Sequence, residues 1–318
     1  MEDPSFKTRI QQRYPEGLTG VFAVGGTRTT YILEQNRDKP DPGRIEDFAA
    51  HGEYLLRRYW QLIDLFFDLG GQNMIITAFS FRGFYNRGAE YGALITQEMG
   101  RFIDESSVEY YRSQQIDPYF TGVDTLLLQP EDSPIHQMGQ QFVAFQKNWP
   151  YRAGRPRLVW EIASMPLYSF WQFFQSLSET ERAQIDAQIA SETNLEEIYR
   201  MLYRRFAQAA YGTDIPMPHF YMGTNKSGDL KWRSPMPLAL SGGDYLRMFY
   251  TPYPTLFITR ETLQTMLADL AFNERFYSAK TDYGGQYTPE LVQAEYERVM
   301  ALSTDPETTL GLARKVTT

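Results

Sequence analysis

The chain has 318 residues, 42% of them hydrophobic and 15% aromatic, and a formal net charge of −8. This apolar share suffices for a full core, and the negative balance argues against binding nucleic acid or an anionic membrane through bulk charge. With no cysteine and three histidines, a disulfide framework, a thiolate metal site and a His-rich metal centre are all excluded. The N-terminus Met1-Glu2-Asp3-Pro4 is acidic and lacks an apolar h-region, and no uncharged apolar run approaches the ~18 residues needed to span a membrane. The expectation is a cytoplasmic globular enzyme, one domain over residues 1–318 with 304–318 as a C-terminal tail.

In chain order, β-type runs alternate with long helical patterns, which predicts an α/β fold with a mostly parallel central sheet and helices on both faces. A first strand is expected over 20–24. Residues 45–69 follow as the clearest helix, with Phe48, Leu55, Tyr59, Leu62, Ile63 and Phe66 recurring at three- and four-residue spacings. A strand over 74–79 leads to a helix from Gly88 to about 115. Further strands are expected over 124–128, 158–163, 220–222 and 245–250, with a helix over 194–210. The Gly-, Pro- and Asn-rich stretch 211–237 reads as largely irregular. A helix over 260–272 is expected, with Thr259 as its N-cap, and a last helix over 289–302 that serves as a dimer contact or frays.

Several signatures are missing: the phosphate-binding G-x-x-x-x-G-K-[ST], the dinucleotide G-x-G-x-x-G after a strand, H-E-x-x-H, and any Asp-Asp pair. Three stretches carry what chemistry there is. Val21-Phe22-Ala23-Val24-Gly25-Gly26-Thr27-Arg28 ends a strand in two glycines, whose freedom to turn and expose amides suits a phosphate nest as well as an ordinary turn. Phe79-Ser80-Phe81-Arg82-Gly83-Phe84-Tyr85-Asn86-Arg87-Gly88 follows a buried-type strand with an aromatic loop carrying two arginines. Such loops bind ligands in open α/β sheets, and guanidinium forks match phosphate oxygens; routine surface arginines are the other reading. His51 lies beside the apolar stripe of its helix, where a core role competes with a catalytic one. Asp64 and Asp68 share a helix face and read as solvated charges rather than metal ligands.

In order and spacing these pieces resemble the cis-prenyltransferases, whose strand ends D-G-N-G-R-W, followed by a helix with G-H-x-x-G and a strand running into S-x-E-N-W-x-R-P. The corresponding residues are Gly25-Gly26-Thr27-Arg28, Ala50-His51-Gly52 and Phe79-Ser80…Asn86-Arg87-Gly88. A nearer likeness is to an offshoot of that family, the tuberculosinol and kolavelool synthases. Its loop V-F-P-F-D-G-T-R compares with residues 21–28, its D-R-G with Asn86-Arg87-Gly88, and its L-Y-F-T…Y-M-T-E-T-T-L with Met248-Phe249-Tyr250-Thr251…Phe257-Ile258-Thr259-Arg260-Glu261-Thr262-Leu263. The likeness covers roughly residues 20–300.

The resemblance implies an enzyme that ionises a bicyclic diterpenyl diphosphate of the kolavenyl type and captures the allylic cation with water, giving a diterpene alcohol and pyrophosphate. It implies His51, Arg87 and Arg28 as catalytic groups. Gly25, Gly26, Thr27, Arg82 and Asn86 would meet the diphosphate, and Phe81, Phe84, Tyr85, Tyr250 and Tyr253 would line a cation-tolerant cavity. A homodimer, an upstream diterpene cyclase that supplies the substrate, and Mg2+ are implied as well. The departures are Gly25 where the family has a first-loop Asp, and Arg82-Gly83 where the offshoot has an acidic pair. They leave the metal ligands unassigned and keep two alternatives open: a chain-elongating cis-prenyltransferase, and a catalytically silent partner subunit.

Overall fold

The computed structural model describes residues 5–81, 89–224, 230, 246–272 and 288–305. Its strands are β1 Leu18–Ala23, β2 Gly71–Phe79, β3 Asp117–Thr121, β4 Arg157–Ile162, β5 Phe220–Thr224 and β6 Arg247–Thr251. They form one sheet in the order β3-β4-β2-β1-β5-β6, and every neighbouring pair is parallel. β1, β3 and β5 are buried along their whole length. A parallel sheet covered on both faces requires this, because crossover connections lay helices over each side.

The helices are α1 Phe6–Arg13, α2 Thr27–Tyr31, α3 Phe48–Asp68, α4 Ala89–Gly100, α5 Glu105–Ser113, α6 Val123–Leu126, α7 Pro134–Asn148, α8 Pro166–Ser176, α9 Glu179–Ser191, α10 Leu195–Tyr211, α11 Arg260–Phe272 and α12 Pro289–Thr304. One face of the sheet carries the main core. There Phe22, Met74, Ile76, Leu158, Trp160 and Phe220 meet Tyr59, Leu62, Ile63 and Phe66 of α3, Phe142 of α7, and Leu263 and Leu267 of α11. On the other face Val21, Ile75, Val159 and Tyr221 meet Tyr203, Phe206, Ala207 and Tyr211 of α10. These four recur at three- and four-residue spacing, so one stripe of α10 is apolar. No helix among the described residues is long and apolar enough to cross a membrane.

Five of the six expected strands fall on observed strands. The run expected as a strand over 124–128 instead opens in α6, and the strand lies at Asp117–Thr121. Pro118 cannot donate to a ladder, which argues against a strand there, yet β3 sits at the sheet's edge, where a missing N–H is tolerated. Gly122 (φ +85°) then turns the chain sharply. The helix expected from 88 to 115 is broken: a 3-10 turn at Arg101–Ile103 follows α4, and the Asp104 carboxylate accepts the Ser107 N–H at 2.9 Å to start α5. Thr259 caps α11 as expected, its Oγ1 accepting the Thr262 N–H at 3.2 Å. Helices α1, α2, α7, α8 and α9 are additional to the expected set.

Candidate anion-binding site at the carboxyl edge of the sheet

β1 lies in the middle of the sheet, between β2 and β5. The chain leaving β1 goes to β2 on one side, whereas the chain leaving β5 goes to β6 on the other. Such a divergence opens a crevice at the carboxyl ends of the two strands, the usual ligand position in an open α/β sheet. The residues at this point are Gly25 and Gly26. Gly26 takes the left-handed conformation (φ +76°) and starts α2. A Cβ built on it would lie 2.9 Å from the Pro254 Cβ, so both backbone and space require glycine there. Of the two glycines, only Gly26 has a positive φ.

Gly25 itself is buried and bound into the protein. Its N–H donates to Thr255 Oγ1 at 3.2 Å. Its carbonyl accepts the Thr255 N–H at 3.2 Å and the Thr224 hydroxyl at 3.3 Å. With its amide and carbonyl both engaged, Gly25 is scaffold, and a ligand would meet the turn from Gly26 onward.

Arg28 is exposed and, among the described residues, gives one hydrogen bond, at 2.5 Å, to the Gly43 carbonyl; a guanidinium has five N–H donors to offer. His51 is half-buried in α3, edge-on to the Tyr31 ring with centroids 4.9 Å apart. Its Nε2 is buried and makes no hydrogen bond to another described residue. Burial, and then the nearby Arg28 charge, hold its pKa below the ordinary imidazole value, so the ring is neutral at neutral pH. A neutral imidazole leaves the Arg28 guanidinium as a fixed cation beside the turn.

The aromatic residues divide between the faces of the sheet. Phe81 packs against the main core, whereas Tyr250 packs on the α10 face, 5.8 Å from the Tyr221 ring. Phe81, just after β2, and Tyr250 on β6 thus lie on opposite faces of the sheet. Tyr253 stays with the turn: its carbonyl accepts the Thr251 hydroxyl at 2.8 Å, and Pro254 follows it directly against Gly26. Arg82, Phe84, Tyr85, Asn86 and Arg87 lie outside the described residues. Asp64 and Asp68, read as solvated, are both engaged at the far end of α3. Asp64 accepts the Tyr110 hydroxyl at 2.7 Å, and Asp68 pairs with Arg260 at 3.5 Å.

Thr224, Pro254 and Thr255 were not among the expected site residues. No local pattern marks them; only the adjacency of β1, β5 and β6 brings them to Gly25. Arg58 ties α3 to the same connector, donating to the Leu256 carbonyl at 2.6 Å and pairing with Glu34 at 3.5 Å. No group of three or more His, Asp or Glu side chains suited to a metal occurs among the described residues. The turn offers no carboxylate, and the Gly25 carbonyl is taken, so the described residues do not fit magnesium at this loop.

No protein-family model matches the chain, and no curated protein matches it. Solved structures do. Lavandulyl diphosphate synthase from Lavandula x intermedia, in complex with dimethylallyl diphosphate, is 13% identical, with a TM-score of 0.53 over 82% of this chain and 98% of that one. A probable undecaprenyl diphosphate synthase from Campylobacter jejuni is 12% identical, with a TM-score of 0.51 over the same shares. The chain has the cis-prenyltransferase fold.

Proposed function

We propose that this chain is an enzyme acting on an isoprenoid diphosphate, and specifically a diterpene alcohol synthase. The observation that carries the reading is the Gly26 turn at the carboxyl end of the central strand β1, with Arg28 and the neutral His51 beside it. A glycine turn and a guanidinium suit a departing pyrophosphate, because donors fixed before reaction stabilise charge as it develops. In the reaction the allylic C–O bond breaks and its electron pair leaves with pyrophosphate. Water then adds to the cation, and the proton it releases is taken up by the departing pyrophosphate. The products are the alcohol and pyrophosphate.

A second reading is a chain-elongating synthase, which the names of the two similar structures favour, since both are diphosphate synthases. A homodimer and an upstream cyclase supplying a bicyclic substrate accompany the first reading. The test is incubation of the purified chain with geranylgeranyl and bicyclic diterpenyl diphosphates, with and without isopentenyl diphosphate. Release of pyrophosphate with a C20 alcohol supports the first reading; a longer diphosphate formed only with isopentenyl diphosphate replaces it by the second. A chain inert under every condition is a silent partner subunit. In the active chain Arg28→Ala should lower kcat by about 10²-fold, the scale of losing one preorganised donor. Unchanged kinetics in a folded Arg28→Ala variant would remove it from the site.

A further inference from the structure

The contacts around Gly25 form a closed ring. The Gly25 N–H donates to Thr255 Oγ1, and the Thr224 hydroxyl donates to the Gly25 carbonyl. The two threonine hydroxyls also bond to each other. Each hydroxyl has one hydrogen. That of Thr224 is committed to Gly25, so Thr255 must be the donor in the bond between them. Thr255 thus accepts from Gly25 and donates to Thr224, while its own N–H donates to the Gly25 carbonyl. Thr255 is fully buried and Thr224 nearly so. Burial leaves no water to replace a missing partner, and the directions of the ring permit one arrangement of the backbone.

The ring joins three places that are distant in sequence: the end of β1, the end of β5, and the connector from β6 to α11. Pro254, the residue before Thr255, rests against the left-handed Gly26. The backbone entering Gly26, Thr27 and Arg28 is therefore set by Thr255 from one side and Pro254 from the other. We propose that Thr255 is the positioning residue of the 25–28 turn, and that its hydroxyl sets how tightly the turn holds a pyrophosphate group. This inference rests on the functional reading above. Thr255 touches no reacting atom in it; the residue acts through Gly25.

The test is equilibrium binding of inorganic pyrophosphate by calorimetry, in EDTA, to wild type, Thr255→Val, Thr255→Ser and Arg28→Ala. Valine keeps the shape but leaves the buried Gly25 N–H without an acceptor, and should weaken binding by about 10-fold. Serine keeps the hydroxyl and should restore it. Phe142→Leu, a core change on the far side of the main core, destabilises the fold without touching the ring and should bind as wild type. Valine binding as tightly as wild type overturns the inference and leaves the functional reading standing. So does valine binding no weaker than a Phe142→Leu variant of equal melting temperature. If wild type binds no pyrophosphate, or Arg28→Ala binds it equally well, the functional reading falls and takes this inference with it. Should Thr255→Val fail to fold, Thr224→Ala decides. It opens the ring while keeping both Thr255–Gly25 bonds, so a loss of about 3-fold supports the inference and unchanged binding overturns it.

Discussion

Replacing Gly26 with Ala separates two penalties that the structure imposes together. The first is conformational: φ at Gly26 is +76°, and an L-residue there costs roughly 1 kcal/mol or slightly more. The second is steric. The new Cβ would lie 2.9 Å from the Pro254 Cβ and 3.2 Å from its Cα, closer than carbon atoms pack, and overpacking of this kind costs about 1–3 kcal/mol. Neither atom belongs to the free end of a flexible side chain, so relief requires the connector to move. Gly154 supplies the control. Its φ is +84°, and no atom lies within 4 Å of a Cβ built there. Gly154→Ala therefore bears the conformational penalty alone, and the unfolded-state effect of Gly→Ala is common to both variants. Urea unfolding should show Gly26→Ala destabilised by about 2–4 kcal/mol and Gly154→Ala by about 1 kcal/mol. Equal values would mean that Pro254 does not press on the turn, and the geometry argued for Thr255 would lose its second support.

His219 should make the fold acid-sensitive. Its Nδ1 accepts the Thr19 N–H at 3.0 Å, and burial foremost depresses its pKa from 6.5 to about 4. The unfolded chain then binds the proton that the folded chain refuses, so stability is lost as pH falls from 6.5 towards 4, by about 2 kcal/mol at pH 5. Urea midpoints at pH 7 and pH 5 should differ less in His219→Asn, which keeps an acceptor that does not titrate; an identical pH dependence would remove His219 as the cause. Gly52 of α3 should prove to be glycine because of Glu98. A Cβ there would fall 1.7 Å from the Glu98 carboxylate, which pairs with Arg101 at 3.0 Å. Gly52→Ala should destabilise the wild type by about 1–2 kcal/mol and cost less in Glu98→Ala, where the Arg101 Nε, 2.7 Å from the new Cβ, is freed from its carboxylate partner and can move away. Additive effects in the double-mutant cycle would refute the contact.

Periodicity was sufficient where burial follows local order. The helix around Tyr59, Leu62, Ile63 and Phe66, and the Thr259-capped helix after it, are legible because one stripe faces one core and the cap lies three residues from its donor. Caps that were equally local mark α7 and α9: Ser133 before Pro134, and Ser178 with Glu181. β3 was not legible, because whether Pro118 can sit in a strand depends on that strand being at the edge. The glycines at 25 and 26 pointed correctly to the end of β1, but not to their division of labour. Which of the two turns left-handed and which is bonded into the protein is decided by Pro254 and Thr255, more than 200 residues away. The placement of Phe81 and Tyr250 on opposite faces of the sheet was likewise hidden, since the face a side chain takes at the sheet is read only once the strand order is known. Short-range hydrogen bonds and apolar spacing are properties of the chain itself. The anion-binding turn is a property of three strand ends brought side by side, and only the order of the sheet sets them there.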